Sequence, residues 1–126
     1  MPSFVEEESL SSVRVFWLKQ DELIEHIRRV AERVGSADPN ILKIVLFGSL
    51  AEGRAVPGSD ADILIILRHD PRRFMDRLPE WVGRLSIDFP VDVFPYTEAE
   101  SNMAVARDVL YQGIVLFERS AAGSSA

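Results

Sequence analysis

IVLFGSLAEGRAVPGSDADILIIL, residues 44–67, is the stretch that decides the fold. It holds two apolar runs, residues 44–47 and 63–67, each short and free of charge in the way of a buried strand. Between them lies a polar loop that opens on Gly48-Ser49 and closes, after ten intervening residues, on Asp60-Ala61-Asp62. Strand, short loop, strand is therefore the unit from which the rest of the chain is read.

The residue types at the two ends of that loop carry chemistry. Side chains at i and i+2 of a strand point to one face, so Asp60 and Asp62 are expected to project side by side. Carboxylates forced together repel unless a cation sits between them, and such hard oxygen donors suit Mg²⁺ or Mn²⁺. Asp92, flanked by Val91 and Val93 on a further expected strand, is the third candidate; Asp88, its rival, belongs to a turn. If the Asp92 strand pairs beside Asp62, three carboxylates converge and could hold two metals roughly 4 Å apart, an arrangement used for in-line attack on phosphorus. At the other end, Gly48 lets backbone approach a phosphate closely, and Ser49, read as the N-cap of a short turn over residues 50–52, offers a hydroxyl and nearby N–H donors. No Gly-Lys-Ser/Thr signature is present, so this is not a Walker loop. Taken singly, a Gly-Ser or an Asp-x-Asp is most often an ordinary loop or a solvated strand end; together, between two apolar strands, they are far more specific.

The remaining sequence sets the frame. At 126 residues the chain fits one domain, expected over 13–119, without room for a separate acceptor-binding domain. A net charge of −6 argues against holding long nucleic acid. The absence of cysteine, the acidic Glu6, Glu7 and Glu8 where a signal peptide would be basic, and the lack of any run near the roughly 18 apolar residues of a membrane span together predict a cytoplasmic protein. Residues 1–12 and 120–126 read as flexible ends. Residues 13–18 suit a short strand or docked extension, and residues 20–34 an amphipathic helix stopped by Gly35. Asp70-Pro71 reads as an N-cap and first-turn proline, opening a helical stretch that Pro79 interrupts. Residues 91–94 form a strand, Thr97 and Glu100 have capping-box spacing for a last helix ending near Gly113, and residues 114–117 form the closing strand. Arg68, Arg72, Arg73 and Arg77 read as a solvated helix face, with partner binding as the alternative, His26 and His69 as structural or solvated, and Trp17 and Trp81 as core or interface. The expected class is α/β (α+β): a single small mixed sheet flanked by helices.

These residues resemble the minimal nucleotidyltransferase family, single-domain relatives of the DNA polymerase beta superfamily, whose signature is Gly-Ser, ten residues, then Asp-x-Asp. Gly48, Ser49, Asp60 and Asp62 match it without a gap, Ala51, Gly53, Pro57 and Ser59 fall where the family commonly has them, and the likeness runs from about Leu23 to Glu118. It implies the polymerase beta-like fold, with Gly48, Ser49, Arg54 and Ser59 on the nucleotide, and Asp60, Asp62 and Asp92 as catalytic metal ligands for Mg²⁺ or Mn²⁺. The implied reaction transfers a nucleoside monophosphate, AMP from ATP or another nucleoside triphosphate, to a hydroxyl acceptor and releases pyrophosphate. Members are often antitoxins paired with a HEPN-domain toxin, which some silence by adenylylating a tyrosine. One departure stands out: members often carry Arg where this chain has Glu52 and an acidic residue where it has Arg54. The alternative function is thus a catalytically idle, antitoxin-like subunit that neutralises a partner by contact, with a nucleotide sensor as a third reading; a homodimer is left open.

Overall fold

The computed structural model describes residues 12–56, 59–87, 89–102, 109 and 112–119. Its strands are β1 (Ile41–Phe47), β2 (Ala61–Leu67), β3 (Val91–Thr97) and β4 (Ile114–Glu118), and its helices α1 (Ser12–Ala37), α2 (Gly48–Ala51) and α3 (Phe74–Arg84), with a 3₁₀ turn at Ala99–Asn102. The strands form one sheet in the order β3-β2-β1-β4. β1 runs antiparallel to both β2 and β4, whereas β2 and β3 are parallel. This is the mixed sheet with helices that the sequence predicts.

Alternation along the strands gives the sheet two unlike faces. Ile44 and Leu46 of β1, Ala61, Ile63, Ile65 and Leu67 of β2, and Val93 of β3 pack with Leu23, Ile27, Val30 and Ala31 of α1 and with Trp81 and Leu85 at the end of α3. Each fully buried Leu, Ile or Val among them contributes about 1.5–3 kcal/mol, so this face supplies most of the apolar stabilisation. The opposite face carries a smaller cluster, Val45, Leu64 and Ile66, bordered by Leu42, Phe47, Phe94, Tyr96 and Val109. Covered on both sides, residues 63–67 read as an unbroken apolar run rather than an alternating one.

Several local expectations are corrected. Residues 13–18 are the first turns of α1, not a strand, because Val13, Phe16, Gln20 and Leu23 continue the helical spacing of the residues that follow. Gly35 does not stop α1, which runs on to Ala37; a β-carbon on this buried glycine would run into the Phe117 ring, so Gly35 is there to let α1 lie close to β4. Asp70 does not cap α3, whose N-cap is Arg73 with no side-chain bond. Instead Asp70 accepts hydrogen bonds from the Arg72 backbone N–H at 2.9 Å and from its guanidinium at 2.7 and 3.1 Å. Pro79 sits inside α3 without ending it, the helix being anchored beyond the proline by buried Trp81. Of the ends expected to be flexible, 1–12 and 120–126, Ser12 instead opens α1 and the rest lie outside the described residues, as do Asp88, expected in a turn, the Trp17 side chain and most of the expected last helix. Where that helix was expected to start, Thr97 and Glu100 do form the reciprocal capping box: Glu100 Oε1 accepts from the Thr97 N–H at 2.8 Å, and Thr97 Oγ1 accepts from the Glu100 N–H at 3.3 Å.

Arg77 is the largest departure from the expected solvated helix face. It is only 2 % exposed. Its guanidinium donates to the carbonyls of Arg72 at 2.7 Å and Pro95 at 2.9 Å, and to both Glu100 oxygens at 2.7 and 3.1 Å. A buried cation persists only when its donors are satisfied in this way. Arg77 thereby locks α3 to β3, the strand that carries Asp92.

Candidate active site

The pairing of β2 with β3 sets Asp62 directly opposite Asp92, and the pairing of β1 with β2 sets Phe47 opposite Asp62. Phe47, Asp62 and Asp92 thus form one row across three strands, on the face that carries the smaller apolar cluster. Asp60, exposed, precedes β2 by one residue. Asp62 is half-buried and its carboxyl is pushed above its ordinary range, first by burial and then by the charges of Asp92 and Asp60. That the two other carboxylates act on it is the electrostatic mark of convergence.

Gly48 borders the same carboxylate. Its φ of 79° lies in the left-handed region, and a β-carbon built on it would fall on Asp62 Oδ2. Only glycine lets the β1–α2 junction approach Asp62 this closely. Ser49 is not the N-cap of the turn: that place is taken by Phe47, without a side-chain bond, and Ser49 lies within α2. A chain that leaves β1 straight into α2 puts the glycine, rather than the serine, at the bend.

The loop residues divide differently from expectation. Arg54 donates to Glu52 Oε1 at 2.9 and 3.1 Å while 65 % of its side chain stays exposed, so the two exchanged charges satisfy each other. Ser59 closes the turn before β2: its hydroxyl oxygen accepts from the Val56 N–H at 3.0 Å. A cleft of about 120 Å³ opens beside Gly48, lined by Phe47, Ala51, Glu52, Val109 and Gln112. Gly48, Asp62 and Asp92 are therefore brought together, with Asp60 near enough for its charge to act on Asp62, whereas Arg54 and Ser59 are engaged within their own loop. Among the described residues no three His, Cys, Asp or Glu side chains lie close enough to form a ready-made ion cage.

One contributor escaped the sequence reading. Phe47 and Phe94 lie with ring centroids 5.3 Å apart although β2 separates their strands, so the rings meet above β2, next to Asp62. The signal was the position of Phe94 two residues beyond Asp92, hence on its face.

A family model for the nucleotidyltransferase domain matches residues 27–117. The chain belongs to that family. Membership places the domain among the nucleotidyltransferase enzymes. A Methanocaldococcus jannaschii protein provisionally named a protein adenylyltransferase is 38 % identical over 55 residues, which is 44 % of this chain and 35 % of that relative. The match thus spans about a third of the relative's length. A crystal structure of a provisionally assigned nucleotidyltransferase from Sulfolobus solfataricus superposes with a TM-score of 0.63 at 24 % identity, over 90 % of this chain and 92 % of that one, and shares the fold. A toxin-antitoxin structure with AMP-PNP aligns over 84 % of this chain and 78 % of that chain, at 21 % identity and a TM-score of 0.46. No helix among the described residues of the nucleotidyltransferase domain is long and apolar enough to cross a membrane.

Proposed function

We propose that the domain, over residues 13–119, transfers AMP from ATP to a hydroxyl on a protein acceptor. The observation that carries this reading is the in-register Asp62–Asp92 pair with Gly48 drawn up against the Asp62 carboxylate. Mutually repelling carboxylates fit a divalent cation, and Mg²⁺ is commonly held by one or two carboxylates together with water and substrate phosphate oxygens. Asp60, Asp62 and Asp92 would hold Mg²⁺ or Mn²⁺, as two ions. When bound, the metal supplies neutralisation of triphosphate charge and orientation of the leaving pyrophosphate.

The chain's own residues do the rest. The Gly48 backbone gives the triphosphate close approach beside Asp62, with the Ser49 hydroxyl as a further donor. Asp92, the exposed member of the row, takes the proton of the acceptor hydroxyl as its oxygen attacks the α-phosphorus. A protein acceptor is favoured by the name of the Methanocaldococcus relative, and a HEPN-domain toxin is the partner that the family resemblance suggests.

The test is label transfer from α-labelled ATP with Mg²⁺ to a candidate HEPN-type partner protein. Transfer by the native chain and loss with Asp60→Ala is expected; equal transfer by both would overturn the assignment.

A second reading is favoured by the Glu52–Arg54 pair, which leaves the cleft without a free cation from this loop. On that reading the domain is an idle, antitoxin-like subunit. Calorimetry with MgATP separates the two, since an idle site takes up no heat-producing ligand.

A further inference from the structure

The cleft beside Gly48 is built unlike a phosphate site. Among its lining side chains Ala51 and Val109 are hydrocarbon, Phe47 is aromatic and Gln112 is a neutral amide. The one charged lining residue is Glu52, and Arg54 donates twice to its Oε1, at 2.9 and 3.1 Å. Among the described residues no cation lines the cleft. A triphosphate laid there would meet a carboxylate and nothing to offset its own charge. Apolar walls with a few placed polar groups suit a flat, uncharged ring instead.

The cleft is joined to the carboxylate row by two residues that belong to both. Phe47 is paired opposite Asp62, one strand spacing or about 4.8 Å away. Gly48 lines the cleft and also borders the Asp62 carboxylate, where its missing β-carbon leaves room. The wall made by Val109 and Gln112 is held in place from β1. The Gly113 N–H donates to the Val109 carbonyl at 2.8 Å, and a β-carbon on Gly113 would run into Val45 and the Leu46 carbonyl. Gly113 thus lies tight against β1, which keeps its neighbour Gln112 at the same end of that strand as Phe47. A ring seated against Phe47 therefore has Gln112 at the rim, with Gly48 and then Asp62 leading away from it. Base, sugar and phosphates follow one another in that order in a nucleotide.

Building on the transfer reading, we infer that this cleft is the base subsite of the nucleotide and that the Gln112 side-chain amide selects adenine there. A glutamine amide carries one carbonyl acceptor and an NH₂ donor. Adenine presents the matching pair on one edge: its N6 amine donates to the Gln112 carbonyl, and its N7 accepts from the Gln112 NH₂. Guanine offers two acceptors on that edge, N7 and O6, so the Gln112 carbonyl is left facing an oxygen. Stacking against Phe47 is open to every base and adds affinity without choice. The phosphate end of the nucleotide thus answers to Gly48, Ser49 and the carboxylates, and the base end to Phe47 and Gln112. A cleft without a cation, which counts against the site if phosphate is placed in it, is what this occupant requires.

The experiment uses the full chain and calorimetry with the Mg²⁺ complexes of ATP, 7-deaza-ATP, GTP and tripolyphosphate. The native chain is expected to bind ATP roughly tenfold or more tightly than GTP, and to bind 7-deaza-ATP, which lacks the N7 acceptor, severalfold more weakly than ATP. Both comparisons change only the ligand. Gln112→Met should bring ATP, 7-deaza-ATP and GTP to one affinity. Gln112→Glu, which keeps an acceptor and loses the NH₂ donor, should bind ATP no better than 7-deaza-ATP. Gln112 is exposed, so neither change disturbs the core. Tripolyphosphate, which has no base, should bind the native and Met chains alike. Equal native affinities for ATP, GTP and 7-deaza-ATP overturn the inference, as does a Met variant that keeps the preference for ATP or loses tripolyphosphate as heavily as ATP. A native chain that takes up no nucleotide overturns it together with the transfer reading. Base preference without AMP transfer to any acceptor upholds the subsite and overturns the transfer reading; transfer without base preference does the reverse.

Discussion

Replacing Asp62 by Asn should stabilise the metal-free protein while abolishing its chemistry. Asp62 and Asp92 stand on adjacent strands in register, so their side chains leave the sheet about 4.8 Å apart. At that separation two unit charges repel by about 1 kcal/mol in water and about 3 kcal/mol at the effective dielectric of a protein surface. The half-buried Asp62 lies between these limits, with Asp60 adding to the same repulsion. Asn keeps the shape and removes the charge. In EDTA at neutral pH the variant should therefore gain about 1–2 kcal/mol, seen as a melting temperature raised by roughly 3–6 °C for a domain of this size.

Metal and pH then supply two internal checks. Mg²⁺ or Mn²⁺ at about a hundred times its dissociation constant should stabilise the native chain by about 2.7 kcal/mol and the Asn variant by much less, reversing their order. Because the folded-state pKa of Asp62 is raised, the native state binds more protons than the unfolded state, and stability falls as pH rises from 3.8 through the raised value. Below 3.8 the advantage of Asn over Asp should vanish. Thermal unfolding in EDTA, in metal and across pH reads all three. An Asn variant less stable than the native chain in EDTA at neutral pH would refute the picture of carboxylates held together against their charge.

Gly48→Ala should cost about 1–2 kcal/mol from the left-handed backbone alone and displace the Asp62 carboxylate, so unfolding and metal titration should both respond; unchanged metal affinity would contradict the close approach. Arg77→Met should destabilise by about 3–5 kcal/mol in urea unfolding, because Glu100 and the Pro95 and Arg72 carbonyls lose their shared donor. Its hydrogen bonds, followed by burial in the opposite sense, leave Glu100 well down, to about 2. The Arg77–Glu100 contribution is therefore complete above the ordinary value of 4.5 and lost as pH falls toward about 2; the Met variant should show a flatter acid limb, and an unaltered one would count against the pairing. Glu52→Gln should release Arg54 from its partner and lower the KM for ATP severalfold, by roughly the gain of one added charge-assisted contact; a raised KM would show instead that Glu52 itself contacts the nucleotide.

What could be read from the chain follows from what periodicity encodes. Residues 44–47 and 63–67 are apolar because both sides of the sheet cover them, so their strands were legible, and the Gly48 to Asp62 spacing went with them. Asp92 was legible because Val91 and Val93 mark a strand, although its place beside Asp62 depends on parallel pairing that no local pattern specifies. Arg77 was misread because a buried arginine and a solvated one have the same local sequence. The partners that decide it, Pro95 and Glu100, lie 18 and 23 residues away. Gly35 was taken for a helix stop because glycine at that spacing usually is one, whereas here it answers to the Phe117 ring on a distant strand. The Glu52/Arg54 exchange was visible as a swap of signs, and only the fold shows the two charges turned on each other.

These misreadings share a cause that bears on function. The face of the sheet under α1 and α3 is built from contacts that periodicity announces, and it is stable enough to hold repelling carboxylates on the other face. Long-range polar locks then decide where those carboxylates stand: Arg77 binds α3 to β3, and the Thr97–Glu100 box fixes the strand's end. A change at Arg77 should thus reach Asp92 through the strand without touching the row itself. Since β2 and β3 are paired along their whole length, a β3 that shifts along β2 by a single residue would turn Asp92 to the opposite face. The site is for this reason more sensitive to the Arg77 lock than to most of the apolar core, where volume lost in one place is shared among many neighbours.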